Sequence, residues 1–144
     1  MLGNATVGTA LVTPVRVLVT GTDGQPLPGT KVRWEASDDG KVSSAETTTD
    51  GKGVATVRWT VGTKVGMQTL VAYITGIQPV VFGANSVADR PAVIRLSADL
   101  VRVTMIGDTV RFSSTVEDQF GNPVSTPVSV SLESGGDILL VSGS

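Results

Sequence analysis

The 144-residue chain contains no cysteine and no histidine. Their absence excludes disulfides, thiol nucleophiles, imidazole metal ligands and the commonest general base of enzymes. Serine is plentiful, but without histidine only a Ser-Lys arrangement would remain to activate it. Aromatic residues make up 4% of the chain, too few for a carbohydrate-stacking platform. We therefore expect no catalytic residue and no enzyme activity.

The sequence also lacks a large net charge of either sign and long runs of apolar residues. The formal net charge is −2, so the chain offers no positive field to nucleic acid or anionic lipid. No stretch approaches the roughly 18 consecutive apolar residues of a membrane span, and the start, MLGNATVGTA, has neither region of an export signal. We expect no nucleic-acid binding and no membrane insertion, and a chain that works outside the cell would be exported as part of a longer precursor.

Alternating apolar residues separated by turns are abundant. The 17 glycines and seven prolines accompany many Val and Thr residues, and no stretch shows a convincing helical period. In residues 47–60, TTTDGKGVATVRWT, an Asp50-Gly51 turn precedes a strand with one apolar face. The predicted buried positions are Ala55, Val57 and Trp59, with Val15, Val17, Val19, Val32, Trp34, Ala36, Leu70, Ala72, Ile74, Val80, Phe82 and Ala84 on other strands.

These strands predict a sandwich of two sheets. An alternating strand hides only one face, so two such sheets must pack against each other to remove that face from water. Seven or so short strands at this spacing are typical of an all-β sandwich. Trp34 and Trp59 are in phase with the buried face, so we expect them in the core rather than stacked on a ligand.

The sequence repeats with an offset of 97 residues. Residues 24–27, GQPL, align with residues 121–124, GNPV, and this offset is the size of one immunoglobulin-like unit. The same offset places Val15, Val17 and Val19 on Phe112, Ser114 and Val116, and one extra residue then places Val32, Trp34 and Glu35 on Val130, Leu132 and Glu133.

A polar segment separates the two copies. Residues 85–91 end in Arg-Pro and are interpreted as the linker. The prediction is a complete domain at residues 1–88 and a partial second repeat at residues 89–144. Half a sandwich leaves apolar faces and strand edges uncovered. The tail is therefore loosely ordered, or pairs with strands of another copy, or belongs to a fragment of a longer tandem array, which we favour.

Three segments together resemble the bacterial immunoglobulin-like domains of the invasin and intimin type. They are residues 24–34 (GQPLPGTKVRW), residues 49–57 (TDGKGVATV) and Gly66 leading into residues 70–72 (LVA). Residues 118–124 (DQFGNPV) are similar to the family's first turn. The resemblance covers essentially the whole chain as one and a half repeats.

The resemblance implies an immunoglobulin-like antiparallel β-sandwich, with one complete repeat and a truncated second repeat. It implies a non-catalytic structural or adhesion module without cofactors, which acts as a rigid spacer or presenter in a bacterial surface protein or a phage virion. Its partners would be neighbouring repeats of the same protein. The alternative is a binding module that recognises a glycan or a protein through the loops at one end or an exposed edge strand. The implied location is extracellular or at the cell surface, or alternatively the virion.

Several acidic side chains are candidates for a metal or catalytic site. Asp38 and Asp39, with Asp23 or Asp50, could supply oxygen ligands to Ca²⁺ between repeats. Asp before Gly also caps tight turns, and no D-x-D-x-D loop is present, so we expect no metal site. Adjacent strand residues point to opposite faces, so the neighbouring carboxylates of residues 117 and 118, Glu117-Asp118, are not expected to form a glycosidase pair.

Rows of threonine and two aromatic residues are candidates for a binding surface. The threonines within residues 47–49 and 56–60 are typical of a solvated strand face rather than an ice-binding or glycan-binding plane. Tyr73 and Phe120 are expected to be the exposed aromatics.

Overall fold

The structure, a computed structural model, describes residues 1–98 and 112–128. The chain divides into two compact units, unit 1 (Met1–Ala88) and unit 2 (Asp89–Ser144), and each is described by itself. Every regular element of the described residues is a β-strand. These residues contain no helix with the length and apolarity needed to cross a bilayer.

Unit 1, all of whose residues are described, contains nine strands, and the described part of unit 2 contains two. In unit 1 they are β1 (Asn4–Thr6), β2 (Val15–Leu18), β3 (Lys31–Ala36), β4 (Lys41–Val42), β5 (Glu46–Thr48), β6 (Val54–Val57), β7 (Trp59–Thr60), β8 (Gly66–Tyr73) and β9 (Val80–Val87). In unit 2 they are β10 (Val93–Ala98) and β11 (Phe112–Glu117).

The strands of unit 1 form two layers. One layer is a five-stranded sheet with the order β1-β9-β8-β3-β5. Its neighbours are antiparallel except β1 and β9, which run parallel. The other layer consists of the antiparallel pairs β2-β6 and β4-β7. The all-β sandwich predicted from the alternating pattern is confirmed, whereas the number of repeats stays a prediction.

A single apolar cluster joins the two layers. Leu70 of β8 and Trp59 of β7 have no exposed surface, and Trp34 of β3 is 3% exposed. Phe82 packs against the cluster with its ring centroid 6.4 Å from that of Trp34. Burial of a large apolar side chain contributes about 1.5–3 kcal/mol. The predicted core position of both tryptophans is confirmed.

The turn between β5 and β6 depends on Gly53. Asp50 Oδ1 accepts hydrogen bonds from the N–H groups of Lys52 at 2.8 Å and Val54 at 3.0 Å. Gly53 has φ +72°, and a Cβ atom there would lie 2.7 Å from the carbonyl oxygen of Val19. The turn therefore packs tightly against the chain that follows β2, and only glycine fits at this point.

Three details of unit 1 differ from the expectations. The interpretation of residues 85–91 as a linker is wrong for residues 85–87, because β9 continues to Val87 and pairs with β1 and β8. The polar side chains of Asn85 and Ser86, at this end of β9, form hydrogen bonds. Their polarity therefore did not indicate a loop. Val80 is 39% exposed rather than buried with Ala84. Strand β1 was not predicted, since its sequence, NAT, has no apolar alternation.

The described part of unit 2 is a two-stranded sheet. β10 and β11 pair antiparallel from Val93 opposite Glu117 to Ala98 opposite Phe112. β10 begins at Val93, four residues after the start of unit 2 at Asp89. The alignment of Val130, Leu132 and Glu133 with β3 lies outside the described residues. That residues 89–144 form a partial second repeat stays a prediction.

Candidate functional site: turns, sheet edges and outer faces

The two units build the same loop after β2 and after β11. Three backbone hydrogen bonds recur with an offset of 97 residues, and so does an isolated bridge, Thr20 to Pro26 and Glu117 to Pro123. In unit 1 the bonds join Gly21 N to Gln25 O, Gly24 N to Gly21 O and Leu27 N to Val19 O; in unit 2 they join Asp118 N to Asn122 O, Gly121 N to Asp118 O and Val124 N to Val116 O.

The loop of unit 2 is organised around a buried carboxylate. Asp118 is 1% exposed, and its Oδ1 accepts hydrogen bonds from the N–H groups of Phe120 and Asn122, both at 2.9 Å. Its Oδ2 accepts from the N–H of Asp89 at 3.0 Å and from Asn122 Nδ2 at 3.0 Å. Burial of the carboxyl group raises the pKa of Asp118, but the hydrogen bonds from Asn122, Asp89 and Phe120 outweigh burial and lower it to about 2.

The equivalent loop of unit 1 receives its carboxylate from a different position. Gly21 stands where unit 2 has Asp118, and Asp23 Oδ1 accepts the N–H of Gln25 at 3.1 Å. Gln25 corresponds to Asn122, so the same backbone donor is capped in both units. This role of Asp118 was not predicted from the sequence. The available signal was an Asp four residues before an Asn within a Gly-containing turn.

The adjacent carboxylates of Glu117 and Asp118 do not act together. Glu117 Oε2 accepts from Arg95 Nε at 3.0 Å, in a pair whose arginine side chain is exposed. Asp118 is used by the loop bonds described above. An exposed ion pair of this kind contributes about 0–1 kcal/mol, so it is a surface contact of the β10-β11 sheet.

Asp39 and Asp50, two of the candidate calcium ligands, hold loops instead. Asp39 accepts from Thr63, at 2.9 Å from its N–H and at 2.5 Å from its hydroxyl. The side-chain hydrogen bond from Thr63 is the largest cause that lowers the pKa of Asp39, and the N–H of Val54 has that role for the pKa of Asp50. Over residues 1–98 and 112–128, no group of three or more acidic side chains could hold a metal ion.

A buried polar network fixes the loop between β7 and β8. The side chain of Gln68 is buried, accepts from Gly62 N at 2.6 Å and donates to Lys64 O at 2.7 Å and to Ser86 Oγ at 2.9 Å. Ser86 Oγ donates to Lys64 O at 2.6 Å. Gln68 and Ser86 were not predicted as buried residues, because inward polar residues on strands break the apolar alternation. The network makes this end of unit 1 a fixed loop rather than an adaptable one.

The threonine row at residues 47–49 is not one solvated face. Thr49 is 5% exposed, donates to Leu27 O at 2.6 Å and accepts from Thr30 N at 2.8 Å. Thr47 is half-buried and accepts from Trp34 Nε1 at 2.7 Å. The expectation of a solvated face is wrong for these two residues, since alternate strand residues point to opposite faces. Thr48 and Thr56 are exposed as expected.

One of the two aromatics expected at the surface is exposed. Phe120 is 42% exposed. Tyr73 is half-buried, and the guanidinium carbon of Arg33 lies 4.6 Å from its ring centroid. Arg33 therefore covers the ring in a cation–π contact, and the expectation for Tyr73 is wrong.

The outer face of the five-stranded sheet carries apolar side chains. Met67 of β8 is 60% exposed and Val81 of β9 is 62% exposed. Val71 lies directly opposite Val81. We name Met67, Val71 and Val81 the outer patch. Its exposed members, Met67 and Val81, lie on neighbouring strands and share a face with Val71, which is half-buried.

Comparisons with known proteins identify the relatives of this architecture. No family model matches the chain. The sequence is 30% identical over 139 residues to the inverse autotransporter adhesin YeeJ of Escherichia coli strain K12, and the match covers 85% of this chain but 5% of YeeJ.

Solved structures show the same fold. The Escherichia coli adhesin FdeC matches with a TM-score of 0.59 and 23% identity, over 85% of this chain and 40% of FdeC. Invasin, described as a bacterial integrin-binding protein, matches with a TM-score of 0.50 and 24% identity, over 83% of this chain and 25% of invasin. The chain thus spans less than half the length of each of these proteins. Its fold is that of the invasin-type bacterial immunoglobulin-like domains, and the resemblance drawn from the sequence is confirmed.

These relatives are adhesins, which are not enzymes. The adhesin relatives also confirm the extracellular or cell-surface location that the resemblance implied.

Proposed function

We propose that this chain, with the fold of the adhesin domains named above, is a rigid spacer module of a bacterial surface adhesin. The observation that carries the proposal is the hydrogen bond from Asp89 N to the carboxylate of Asp118, with Gln119 Nε2 donating to the Asp89 side chain at 2.9 Å. Strand β9 ends at Val87. One residue, Ala88, therefore lies between the last strand of unit 1 and a linker residue tied to a loop of unit 2.

The interior of unit 1 supports the same proposal. Its two layers share one apolar core, and the Asp39–Thr63 and Gln68 contacts hold the loops at one end. A strand pair with buried side chains and bonded loops resists local opening. A spacer needs this property, because force or protease acts first on segments that open easily.

We also propose that residues 89–144 begin a second repeat. The recurrence of three loop hydrogen bonds and one bridge at an offset of 97 residues supports this proposal. Tandem repeats of one fold are the usual construction of extended surface proteins, since each copy adds the same length.

Nuclear magnetic relaxation tests the spacer role. We expect the amides of both units to report one shared rotational correlation time, and Asp118→Ala to make the two values diverge. The matched control is Asp23→Ala, which removes the equivalent cap in unit 1, away from the linker, and should leave the shared value unchanged. Independent tumbling of the units in the unaltered chain contradicts the proposal.

A second candidate function is recognition of a protein partner through the outer patch. The exposure of Met67 and Val81 favours it, since exposed apolar groups on one face mark interaction sites. Binding of the labelled chain to host cells and to purified surface receptors would be measured. Met67→Glu and Val81→Glu should abolish binding, whereas Val12→Glu, at an isolated residue that is 97% exposed, should not. Equal binding by all three variants excludes the patch.

A further inference from the structure

The two layers of unit 1 differ in the charges on their outer faces. The five-stranded sheet carries both signs, and Lys31 Nζ lies 3.3 Å from Glu46 Oε1. The other layer, β2, β4, β6 and β7 with the residue between β6 and β7, contains Arg16, Lys41 and Arg58 and no acidic residue. The fold therefore collects on one layer cations that are scattered along the sequence.

The three cations point outward from this layer. Arg58 lies between Val57 and Trp59, which are buried in the core, so its side chain points to the opposite face. Arg16 and Lys41 likewise alternate with inward-facing neighbours, and all three cations are exposed. We name Arg16, Lys41 and Arg58 the basic face.

Strands β2 and β4 lie on opposite edges of the segment formed by β6 and β7. Val19 N donates to Gly53 O at 2.8 Å, whereas Ser43 N donates to Arg58 O at 2.9 Å. In an antiparallel ladder the backbone groups of successive residues point to alternate edges. Gly53 and Arg58 are an odd number of residues apart, so their partners are on opposite sides. Arg58 is thus the central cation, with one cation of β2 and one of β4 beside it.

The basic face forms a diagonal line. Arg16 lies directly opposite Thr56, and Lys41 lies directly opposite Thr60. Arg58 is two residues from each of these threonines, so each flanking cation is its diagonal neighbour, at a backbone separation of about 7–8 Å. Single positive charges therefore follow one another at a regular interval across the layer.

The basic face has no carboxylate within ion-pair distance. The two ion pairs of residues 1–98 and 112–128 involve other side chains. Asp50, in the turn before β6, interacts electrostatically with Arg16, but its Oδ1 already accepts hydrogen bonds from the N–H groups of Lys52 and Val54. The positive charge of the basic face is therefore available to an external anion.

We propose that the basic face binds an acidic polysaccharide, with one sulfate or carboxylate group of the polymer on each cation. Arginine and lysine donate charge-assisted hydrogen bonds to such groups. The exposed side chains of Ser43 and Thr56 lie opposite Arg58 and Arg16 and offer hydroxyls to the sugar units. Charge complementarity determines the choice of partner. The site is on the layer opposite the outer patch and is independent of the spacer role.

Charge spacing distinguishes this partner from other polyanions. Double-stranded DNA carries one charge per about 1.7 Å of helix axis, and its binding relies on many simultaneous phosphate contacts. Anionic membranes attract clusters of about four to eight Lys and Arg residues. Three single cations at intervals of about 7–8 Å match a polymer with isolated charges better than they match either of these surfaces.

Binding of immobilised polymers to the full chain tests the partner. The probes are heparin, which carries sulfates and carboxylates, polygalacturonate, which carries carboxylates alone, and uncharged dextran. We expect binding to at least one acidic polymer that weakens as NaCl is added, and none to dextran. Binding to heparin alone supports sulfate as the recognised group, and binding to both supports carboxylate as well. No binding to either acidic polymer, or tighter binding to duplex DNA or to phosphatidylserine vesicles, overturns the proposal.

Substitutions test the site. Arg58→Gln, and Arg16→Ser, which installs the residue that unit 2 has at position 113, should each weaken binding about two- to fivefold, the range of one exposed ion pair. The matched control, Lys31→Gln, removes the same charge from the other layer and should leave the affinity unchanged. Arg58→Lys keeps the charge and should retain binding. Thermal unfolding verifies that each variant is folded. Equal losses for Arg58→Gln and Lys31→Gln overturn the proposal.

Discussion

Trp34 Nε1 donates a 2.7 Å hydrogen bond to Thr47 Oγ1, and this bond joins β3 to the edge strand β5. The indole N–H of Trp59, by contrast, has no hydrogen-bond partner within the described residues although the ring is fully buried. The two core tryptophans therefore differ in polar satisfaction. Trp59 therefore only fills space in the core, whereas Trp34 also fixes the edge strand β5.

Thr47→Val should lower the free energy of unfolding by about 1–3 kcal/mol, because it leaves the buried N–H of Trp34 without an acceptor. In a Trp34→Phe background the same change should have little effect. Urea unfolding of the four chains in this double-mutant cycle measures the coupling. A Thr47→Val cost that is equal in both backgrounds would show that the hydrogen bond does not contribute.

The contrast between these residues shows what the sequence predicts well. Apolar residues at alternate positions identified β2, β3, β6 and β8, because burial of one strand face requires that pattern. Thr47 and Thr49 gave no such signal, since a threonine that bonds inward has the same sequence pattern as a solvated one. Strand β1 was missed for a related reason: it is held by parallel pairing with β9, and pairing with a distant strand leaves no local pattern.

Gly53→Ala should destabilise unit 1, whereas Gly51→Ala should not. Gly53 is in the left-handed region, which costs alanine about 1–2 kcal/mol, and its added Cβ would also crowd Val19 O at 2.7 Å and Leu27 N at 3.0 Å. A Cβ on Gly51 meets nothing within 4 Å. Thermal unfolding of the two variants provides the comparison. Equal Tm values for both would show that the turn shifts to make room.

Calcium should not change the stability of the chain. Asp39 is bonded to Thr63, Asp50 to Lys52 and Val54, and Asp23 to Gln25. A bound ion would raise Tm in proportion to its occupancy. Thermal unfolding in millimolar CaCl₂ and in excess EDTA should give the same Tm. A higher Tm in calcium alone would establish a site that these loop bonds do not predict.

Asp118 shows why the loop of unit 2 could not be read from the sequence. Its neighbour Glu117 is a strand residue whose carboxylate pairs with an arginine at the surface. The carboxylate of Asp118, one position further, is buried, and both of its oxygens accept hydrogen bonds from N–H groups. The distinction depends on Asp89, 29 residues away, whose N–H completes the site. Local spacing indicates a capped turn but does not identify a donor so distant along the chain.

Acid should disrupt this loop only at a pH below that at which an aspartate of ordinary pKa becomes protonated. The pKa of Asp118 is about 2 in the folded chain against an ordinary value of 3.8. A lowered folded pKa contributes stability that is present above the ordinary value and is lost as pH falls toward 2. The carboxyl carbon shift of Asp118 should titrate near pH 2, and the amide signals of Asp89 and Phe120 should follow it. Asp118→Asn should remove that step from both amides, and a midpoint near 3.8 in the unaltered chain would show that the loop bonds do not hold the carboxylate.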